Sequence, residues 1–154
     1  MKKILFVCHG NICRSPMAEF IMKDLTASEG LSESFSIESA ATSREEIGNP
    51  VYPPARRILA EHGISCEGKT ARQITPSDYE DFDLIIPMDH FNIRNLQRII
   101  PEDPDDKVHL LLDYAGREGQ AISDPWYTGN FELTYKDVMA GCEGLLKKYK
   151  EGEL

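Results

Sequence analysis

Short apolar runs alternate along this chain with segments whose apolar residues recur at helical spacing. Continuous apolar runs of this length are typical of strands that are buried on both faces. Strands separated by helical segments pair in parallel, because each helix carries the chain back to the starting edge of the sheet. The sequence therefore predicts an α/β fold in which helices cover both faces of a mostly parallel sheet. The predicted strands are residues 3–7, 35–40, 83–89 and 107–113.

The intervening segments carry signals for helix boundaries. Ser15 and the proline after it predict a capped helix start behind the first strand. The segment 53–63 is helical and ends at a glycine, a short helix is predicted after Thr75, and the last helix covers residues 131–149. No repeat or linker interrupts the alternation, so we expect one domain over residues 1–154.

The composition argues against several classes of protein. The 154 residues are 41% hydrophobic and 28% charged, as in an ordinary globular domain. A formal net charge of −9 argues against a nucleic-acid binder, whose surface would be basic. The first apolar stretch is too short for a secretory signal, and no segment approaches the ~20 apolar residues of a membrane span. We expect a cytoplasmic protein, monomeric with at most weak self-association, that has neither nucleic-acid nor membrane partners.

Four cysteines occur in the chain. In a cytoplasmic protein they are expected to be reduced, so that a special cysteine is catalytic or redox-active. Cys66 and Cys142 are expected to be buried side chains without chemistry. Cys8, His9 and Cys13 lie close together, but no second cluster of Cys or His ligands accompanies them. We therefore expect no metal site.

The turn between the first predicted strand and the first predicted helix carries the most informative motif. Its backbone N–H groups are expected to converge on a concave anion site next to a helix N-terminus. Gly10 permits backbone geometry that a side chain would hinder, and Asn11 tolerates a left-handed conformation while its amide braces the turn. Arg14 offers a planar fork for two phosphate oxygens. Besides Arg14, the predicted phosphate-binding loop consists of His9, Gly10, Asn11, Ile12, Cys13 and Ser15.

Cys8 begins this loop, so its sulfur is expected at the floor of the anion site. N–H dipoles and the guanidinium around it favour a thiolate, and the Ser15 hydroxyl can donate a hydrogen bond to the sulfur. A thiolate beneath a bound tetrahedral anion is arranged to attack phosphorus. Cysteine, five residues, arginine and then serine is also the signature of cysteine-dependent phosphatases, and here it falls at a strand-to-helix turn.

The stretch VCHGNICRSPMAE resembles the low-molecular-weight protein tyrosine phosphatases, whose loop reads V-C-x-G-N-x-C-R-S-P before a Met-Ala-Glu helix start. Residues 38–50, 70–75 and 87–96 also look like segments of that family, so the resemblance covers essentially the whole chain. It implies a three-layer α/β/α domain with a central four-stranded parallel sheet of the flavodoxin-like, doubly wound type. It also implies hydrolysis of aryl phosphomonoesters through a phosphocysteine intermediate, with no metal and no other cofactor.

A phosphatase also needs a proton donor for the leaving oxygen. Asp124 precedes a proline in the late loop, and Trp126 and Tyr127 follow it as aromatic walls. The resemblance implies that Asp124 is the general acid and afterwards activates water. The predicted catalytic residues are thus Cys8, Arg14 and Asp124. The flat walls favour phosphotyrosine, in a protein or a peptide, as the substrate.

Three positions depart from the pattern of that family. Glu45 stands where many members have an aromatic residue at the lip of the pocket, and Lys69 stands where many have a histidine that braces the loop. His9 replaces a more usual Leu or Thr. These departures are expected to affect substrate preference and to leave catalysis intact. An acidic lip would disfavour the acidic sequences that often flank phosphotyrosine, by like-charge repulsion.

Three alternatives remain open. A protein-arginine phosphatase shares the loop, but such relatives have threonine in place of Ile12 and a small residue in place of the late aromatics. A thioredoxin-coupled arsenate reductase needs two further relay cysteines, and Cys66 is the only cysteine in the middle of the chain. A non-catalytic redox or anion-binding module would use Cys13. We expect Cys13 rather to regulate an enzyme, by forming a reversible disulfide with Cys8.

Overall fold

The computed structural model describes residues 1–154, and strands alternate with helices along the chain. None of its helices combines the length with the apolar composition that crossing a bilayer requires. Two short 3₁₀ helices occupy Ser32–Ser34 and Leu111–Ala115. The strands and α-helices are β1 (Lys2–Cys8), α1 (Arg14–Ser28), β2 (Phe35–Ala41), α2 (Pro53–Glu61), α3 (Asp78–Asp81), β3 (Leu84–Pro87), α4 (His90–Leu96), α5 (Pro125–Thr128) and α6 (Phe131–Lys150).

β1 is the central strand and pairs in parallel with β2 on one side and with β3 on the other. Its side chains alternate between two separate cores. Ile4 and Phe6 belong to the larger core, whereas Leu5 and Val7 belong to the smaller one. All four are completely buried. This burial on both faces explains why the strand reads as a continuous apolar run.

Helices cover both faces of the sheet, as the sequence predicts. α1 packs against β1, β2 and α6 on the side of the larger core, and α2 contacts both of these helices. On the other side, Tyr79 of α3 and Leu96 of α4 belong to the smaller core. The prediction of a parallel sheet between two helical layers is therefore confirmed.

The prediction of a fourth strand at residues 107–113 is wrong, because the sheet has three strands. Only Val108 forms a bridge, parallel to Ile85, and the chain then turns into the 3₁₀ helix Leu111–Ala115. Leu111 and Leu112 are fully buried in the larger core. A short apolar run fits a buried strand and a buried helical turn equally well, so the local pattern does not distinguish them.

Two glycines of α6 explain why the chain turns at this point. A Cβ atom on Gly144 would overlap the carbonyl oxygen of Tyr114, and one on Gly141 would lie 2.5 Å from Leu111 Cγ. Because glycine has no side chain, the 3₁₀ helix lies directly on the backbone of α6. This close approach holds residues 111–115 against α6 and away from the edge of the sheet.

The start of α1 also differs from the prediction. The helix begins at Arg14, and Cys13 occupies the N-cap position without a capping hydrogen bond from its side chain. The hydroxyl group of Ser15, which the sequence predicts as the cap, instead contacts the sulfur of Cys8. The Ser15 side chain therefore contacts the residue before the loop and does not cap the helix.

Replacing Gly144 with alanine is expected to lower the free energy of unfolding by about 1–3 kcal/mol, because the added methyl group must displace the backbone at Tyr114. Alanine is otherwise the better helix former by about 1 kcal/mol, so the sign of the change separates close packing from helix propensity. Urea denaturation measures the difference, with Glu143→Ala on the exposed face of α6 as the control. A Gly144→Ala variant as stable as the wild type would contradict the close approach.

Candidate active site

Residues 9–13 form the loop between β1 and α1, at the carboxyl end of the central strand. Parallel sheets bind ligands at this end. Asn11, in the middle of the loop, is buried and has a left-handed backbone with a φ of 59°. Its Nδ2 donates to Ser15 Oγ at 2.8 Å and to Ser39 Oγ at 2.9 Å, and its Oδ1 accepts the N–H of Arg72 at 3.2 Å. Asn11 therefore ties the loop to α1, to β2 and to the segment at Arg72.

Cys8, the last residue of β1, is buried at the bottom of a pocket of about 200 Å³. Its Sγ lies 3.0 Å from Ser15 Oγ and 3.4 Å from the backbone nitrogen of Ser15. Since Ser15 Oγ already accepts a hydrogen bond from Asn11, its own proton is free to be donated to the sulfur. Two donors thus face the sulfur, which suits a negatively charged thiolate.

Hydrogen bonds to neighbouring residues fix the edge of the Arg14 guanidinium that faces the protein interior. Nη1 donates to Asp89 Oδ2 at 2.7 Å and to the carbonyl oxygen of Ile122 at 2.8 Å, and Nη2 donates to Asp124 Oδ2 at 3.4 Å. The side chain is only 3% exposed. Burial by itself would lower the pKa of Arg14, but the negative charges of Cys8 and Asp89 outweigh it and raise that pKa. The guanidinium therefore stays charged beside the sulfur.

Asp124 is the N-cap residue of α5. Its Oδ1 accepts the N–H of Trp126 at 3.0 Å, while Oδ2 faces Arg14. Pro125 at the first position of the helix keeps the backbone of Asp124 extended, as the sequence predicts. The side chain is 26% exposed. One carboxyl group therefore reaches both the guanidinium and the open pocket.

The mouth of the pocket combines acidic and aromatic side chains. His9 Nε2 and Glu45 Oε2 lie 2.8 Å apart at the surface. The ring of Trp126 packs on Tyr52 with 4.9 Å between centroids, and Tyr127 is largely exposed. The residues that line the pocket are Cys8, His9, Gly10, Ile12, Cys13, Arg14, Glu45, Glu46, Asp124, Trp126 and Tyr127.

Every residue of this lining except Glu46 is one that the sequence predicts for the site. The side chains of Asn11 and Ser15, which the sequence also predicts for the site, are buried under the backbone of the loop and support it. Asp89 and Ile122, the two inner partners of the guanidinium, were missed. Asp89 is a polar residue at the carboxyl end of the strand beside the central one, which is the signal that could have identified it. Ile122 contributes only its carbonyl oxygen, which no side-chain pattern reveals.

Lys69 contributes to the support of the loop from a segment outside it. Its Nζ donates to the carbonyl oxygen of Ser39 at 2.9 Å and lies 3.2 Å from Glu19 Oε1. Ser39 Oγ donates to the same Glu19 oxygen at 2.6 Å and accepts from Asn11. Glu19, which no sequence motif indicated, is 4% exposed. A chain of polar contacts thus runs, in order, through Lys69, Glu19, Ser39, Asn11, Ser15 and Cys8.

All four cysteines are free and buried. Only Cys8 and Cys13 line the pocket. Burial, together with the neighbouring charge of Cys8, raises the pKa of the Cys13 thiol. Burial also raises the pKa of the Cys66 and Cys142 thiols, which lie elsewhere. No group of three or more His, Cys, Asp and Glu side chains is arranged to hold a metal ion.

Comparison with known proteins connects this site to a family. The family model described as low molecular weight phosphotyrosine protein phosphatase matches residues 3–153. The low molecular weight protein-tyrosine-phosphatase YfkJ of Bacillus subtilis is 44% identical over 147 residues, which cover 95% of this chain and 94% of that protein. The low molecular weight phosphotyrosine protein phosphatase of Rattus norvegicus is 39% identical over 151 residues, which cover 96% of this chain and 95% of that protein.

Solved structures share the fold over the whole chain. The crystal structure of YfkJ from Bacillus subtilis has a TM-score of 0.94 and 42% identity, covering 100% of this chain and 98% of that one. The crystal structure of DARP, a Drosophila arginine phosphatase, has a TM-score of 0.87 and 34% identity, covering 97% and 98%. The match of the family model and the identity to the relatives extend over nearly every residue. The chain therefore belongs to the low-molecular-weight phosphotyrosine protein phosphatase family.

Proposed function

We propose that the protein is a cysteine-dependent tyrosine phosphatase that hydrolyses aryl phosphomonoesters through a phosphocysteine intermediate. The observation that carries this proposal is the sulfur of Cys8 at the bottom of the pocket, 3.0 Å from Ser15 Oγ, in the same short loop as the buried guanidinium of Arg14. A nucleophile and a fixed cation in one loop are what attack on a phosphate dianion requires. Membership of the family supports the same conclusion.

In the first step the thiolate of Cys8 attacks the phosphorus atom of the bound ester. A sulfur–phosphorus bond forms as the bond between phosphorus and the ester oxygen breaks, and protonated Asp124 gives its proton to the leaving oxygen. Arg14 neutralises the phosphoryl oxygens throughout, since its inner edge is already held by Asp89 and Ile122.

In the second step a water molecule attacks the phosphocysteine. The carboxylate of Asp124 accepts a proton from the water. At the same time the oxygen of the water bonds to phosphorus and the sulfur–phosphorus bond breaks. The products are inorganic phosphate, the Cys8 thiolate and protonated Asp124, which is the starting state. Ser15 donates its hydroxyl proton in a hydrogen bond to the departing sulfur. The scheme needs no metal and no organic cofactor.

Phosphotyrosine in a protein or peptide is the substrate that the walls of the pocket favour. Trp126, held by Tyr52, and the exposed Tyr127 present aromatic surfaces above the loop, and Ile12 adds an apolar one. A phenyl ring packs on such surfaces with its phosphate directed toward Arg14.

A protein-arginine phosphatase is the second candidate, because the mouth of the pocket is negatively charged. Glu45 and Glu46 place two carboxylates where the guanidinium of a phosphoarginine side chain could pair with them. The fold is also close to that of the arginine phosphatase DARP. Ile12 and the aromatic walls favour a phenyl ring over a guanidinium, so this activity is the less favoured of the two.

A thioredoxin-coupled arsenate reductase has the weakest support. A relay would need two further thiols that can reach Cys8. Cys66 lies in the wall of a different cavity, and Cys142 is completely buried in the core beside α1.

We also infer that residues 1–154 act as one phosphatase domain, because the pocket takes residues from positions 8–14, 45–46 and 124–127. A monomeric state with at most weak self-association remains a prediction, as does location in the cytoplasm. The absence of nucleic-acid and membrane partners is likewise a prediction, to which the net charge of −9 lends support.

Cys8→Ser is expected to abolish hydrolysis of p-nitrophenyl phosphate and of phosphotyrosine peptides, because an alcohol is not ionised at neutral pH. Wild-type turnover is expected to be the same with and without a chelator, and Cys66→Ser, outside the pocket, is the control. Assays of phosphotyrosine peptide, phosphoarginine peptide and arsenate on the wild type compare the three candidate activities. Faster turnover of phosphoarginine would replace the first candidate with the second, and turnover by Cys8→Ser would remove Cys8 from the mechanism.

Asp124→Asn is expected to lower kcat/KM, which reports the first step alone, by about 100- to 10,000-fold for phenyl phosphate, whose leaving group needs a proton, and far less for p-nitrophenyl phosphate. Asparagine retains the side-chain oxygen that caps α5, so the loop should keep its shape. Steady-state kinetics on the two esters give the comparison, with the exposed Asp105→Asn as the control. An equal loss on both esters would mean that the proton donor is another group.

Peroxide is expected to produce a disulfide between Cys8 and Cys13. Hydrogen peroxide oxidises the Cys8 thiolate to a sulfenic acid, and the Cys13 thiol then displaces water from it. Mass spectrometry should detect this disulfide, and a dithiol reductant should restore most of the activity of the oxidised wild type. In Cys13→Ser the reductant should restore little activity, because Cys8 oxidises further. Overoxidised Cys8 beside an unmodified Cys13 in the wild type would contradict the protective role.

A further inference from the structure

A second cavity, of about 690 Å³, lies between α2 and residues 63–69. It shares no lining residue with the catalytic pocket, whose volume is about 200 Å³. Small-molecule sites typically measure about 300–1,000 Å³, so the cavity is large enough for a ligand. Arg56, Arg57 and Lys69 lie in its lining with a single carboxylate, that of Glu67.

The two arginines are adjacent cations without a counterion in the protein. Arg56 and Arg57 are exposed, and neither side chain makes an ion pair or a hydrogen bond, although the chain carries a net charge of −9. They are the fourth and fifth residues of the nine-residue helix α2. The positive end of the helix dipole is near, where a further cation is unfavourable. A bound anion would offset both the mutual repulsion and the unfavourable position.

Lys69 connects the cavity to the catalytic loop. Its side chain is 13% exposed and lines the cavity, while its Nζ lies 3.2 Å from the buried carboxylate of Glu19. Glu19 accepts the hydroxyl proton of Ser39, which in turn accepts from Asn11 under the loop. An anion in the cavity therefore competes with Glu19 and with the carbonyl oxygen of Ser39, 2.9 Å from Nζ, for the same ammonium group. A weaker hold on Glu19 loosens the hydrogen bonds that position Asn11.

We propose that this cavity binds a small free anion of two or more charges, of the phosphate-bearing class, through Arg56, Arg57 and Lys69. Occupation draws the ammonium group of Lys69 away from Glu19 and lowers the turnover of the phosphatase. The site is separate from the phosphate-binding loop, so both can be filled at once. The coupling part of this proposal rests on the proposed phosphatase function, whereas the binding part does not.

Inorganic pyrophosphate added to the full wild-type protein tests both parts. Amide NMR shifts at residues 65–69 report the cavity, and shifts at residues 10–13 report the catalytic loop. Competition in the catalytic pocket raises KM alone, whereas occupation of the cavity is expected to lower kcat. In the double variant Arg56→Ala/Arg57→Ala, affinity at residues 65–69 should fall by about tenfold or more, since two charge-assisted contacts are lost. The effect on kcat should disappear while the effect on KM persists.

Arg98→Ala removes an exposed arginine elsewhere and should behave as the wild type in every measurement. Pyrophosphate that shifts no amide at residues 65–69, or shifts them with equal affinity in the double variant, would overturn the anion site. Shifts at residues 65–69 with an unchanged kcat would overturn the coupling through Lys69. If the proposed function itself failed, the NMR titration would still decide whether the cavity binds the anion.

Discussion

One buried cation, the guanidinium of Arg14, determines how the site is put together. Removing one partner from a buried ion pair typically costs about 3–5 kcal/mol, so a buried guanidinium must have its donors used. Asp89, Asp124 and the carbonyl oxygen of Ile122 accept three hydrogen bonds from it, which leaves the other N–H groups of the guanidinium for the phosphate. These partners come from the end of β3 and from the loop before α5, and Arg14 itself follows β1. The contacts that neutralise the arginine therefore also place the proposed general acid beside Cys8.

This burial also explains how a protein with a net charge of −9 can bind a phosphate group. Glu45 and Glu46 lie at the mouth of the pocket, where exposed charges are screened within about 8 Å at physiological ionic strength. Arg14 is shielded from solvent and acts at contact distance, where its attraction is strongest. The affinity for the phosphate group thus depends on Arg14 and not on the net charge of the surface. We expect the carboxylates at the mouth to select substrates through the residues beside the phosphorylated one.

The loop could be predicted from the sequence because consecutive residues, 8–15, carry nearly all of its chemistry. The strands β1 and β3 could be predicted because each is a continuous apolar run, and β2 could be predicted because its buried Phe35 and Ile37 alternate with the more exposed Ser36 and Glu38. The fourth could not, since the fate of residues 107–113 depends on a distant glycine, Gly144, that admits the chain onto α6. The partners of the guanidinium, Asp89 and Ile122, were missed for a similar reason. Asp89 is near the loop because β3 lies beside β1, and Ile122 is near it because of the path that the chain takes before α5. No local sequence pattern encodes the order of the strands or the path of that segment.

Cys8 and Cys13 lie in one loop but in different electrostatic environments, and the backbone sets the difference. Cys8 ends β1, where a hydroxyl group and an N–H group of Ser15 face its sulfur. Cys13 is the N-cap residue of α1, and burial together with the charge of Cys8 raises the pKa of its thiol. Burial and the neighbouring charge both keep the Cys13 thiol neutral, which fits the proposal that Cys8 is the one nucleophile of the pocket. A neutral thiol held nearby is also the group that can condense with Cys8 once peroxide has oxidised it.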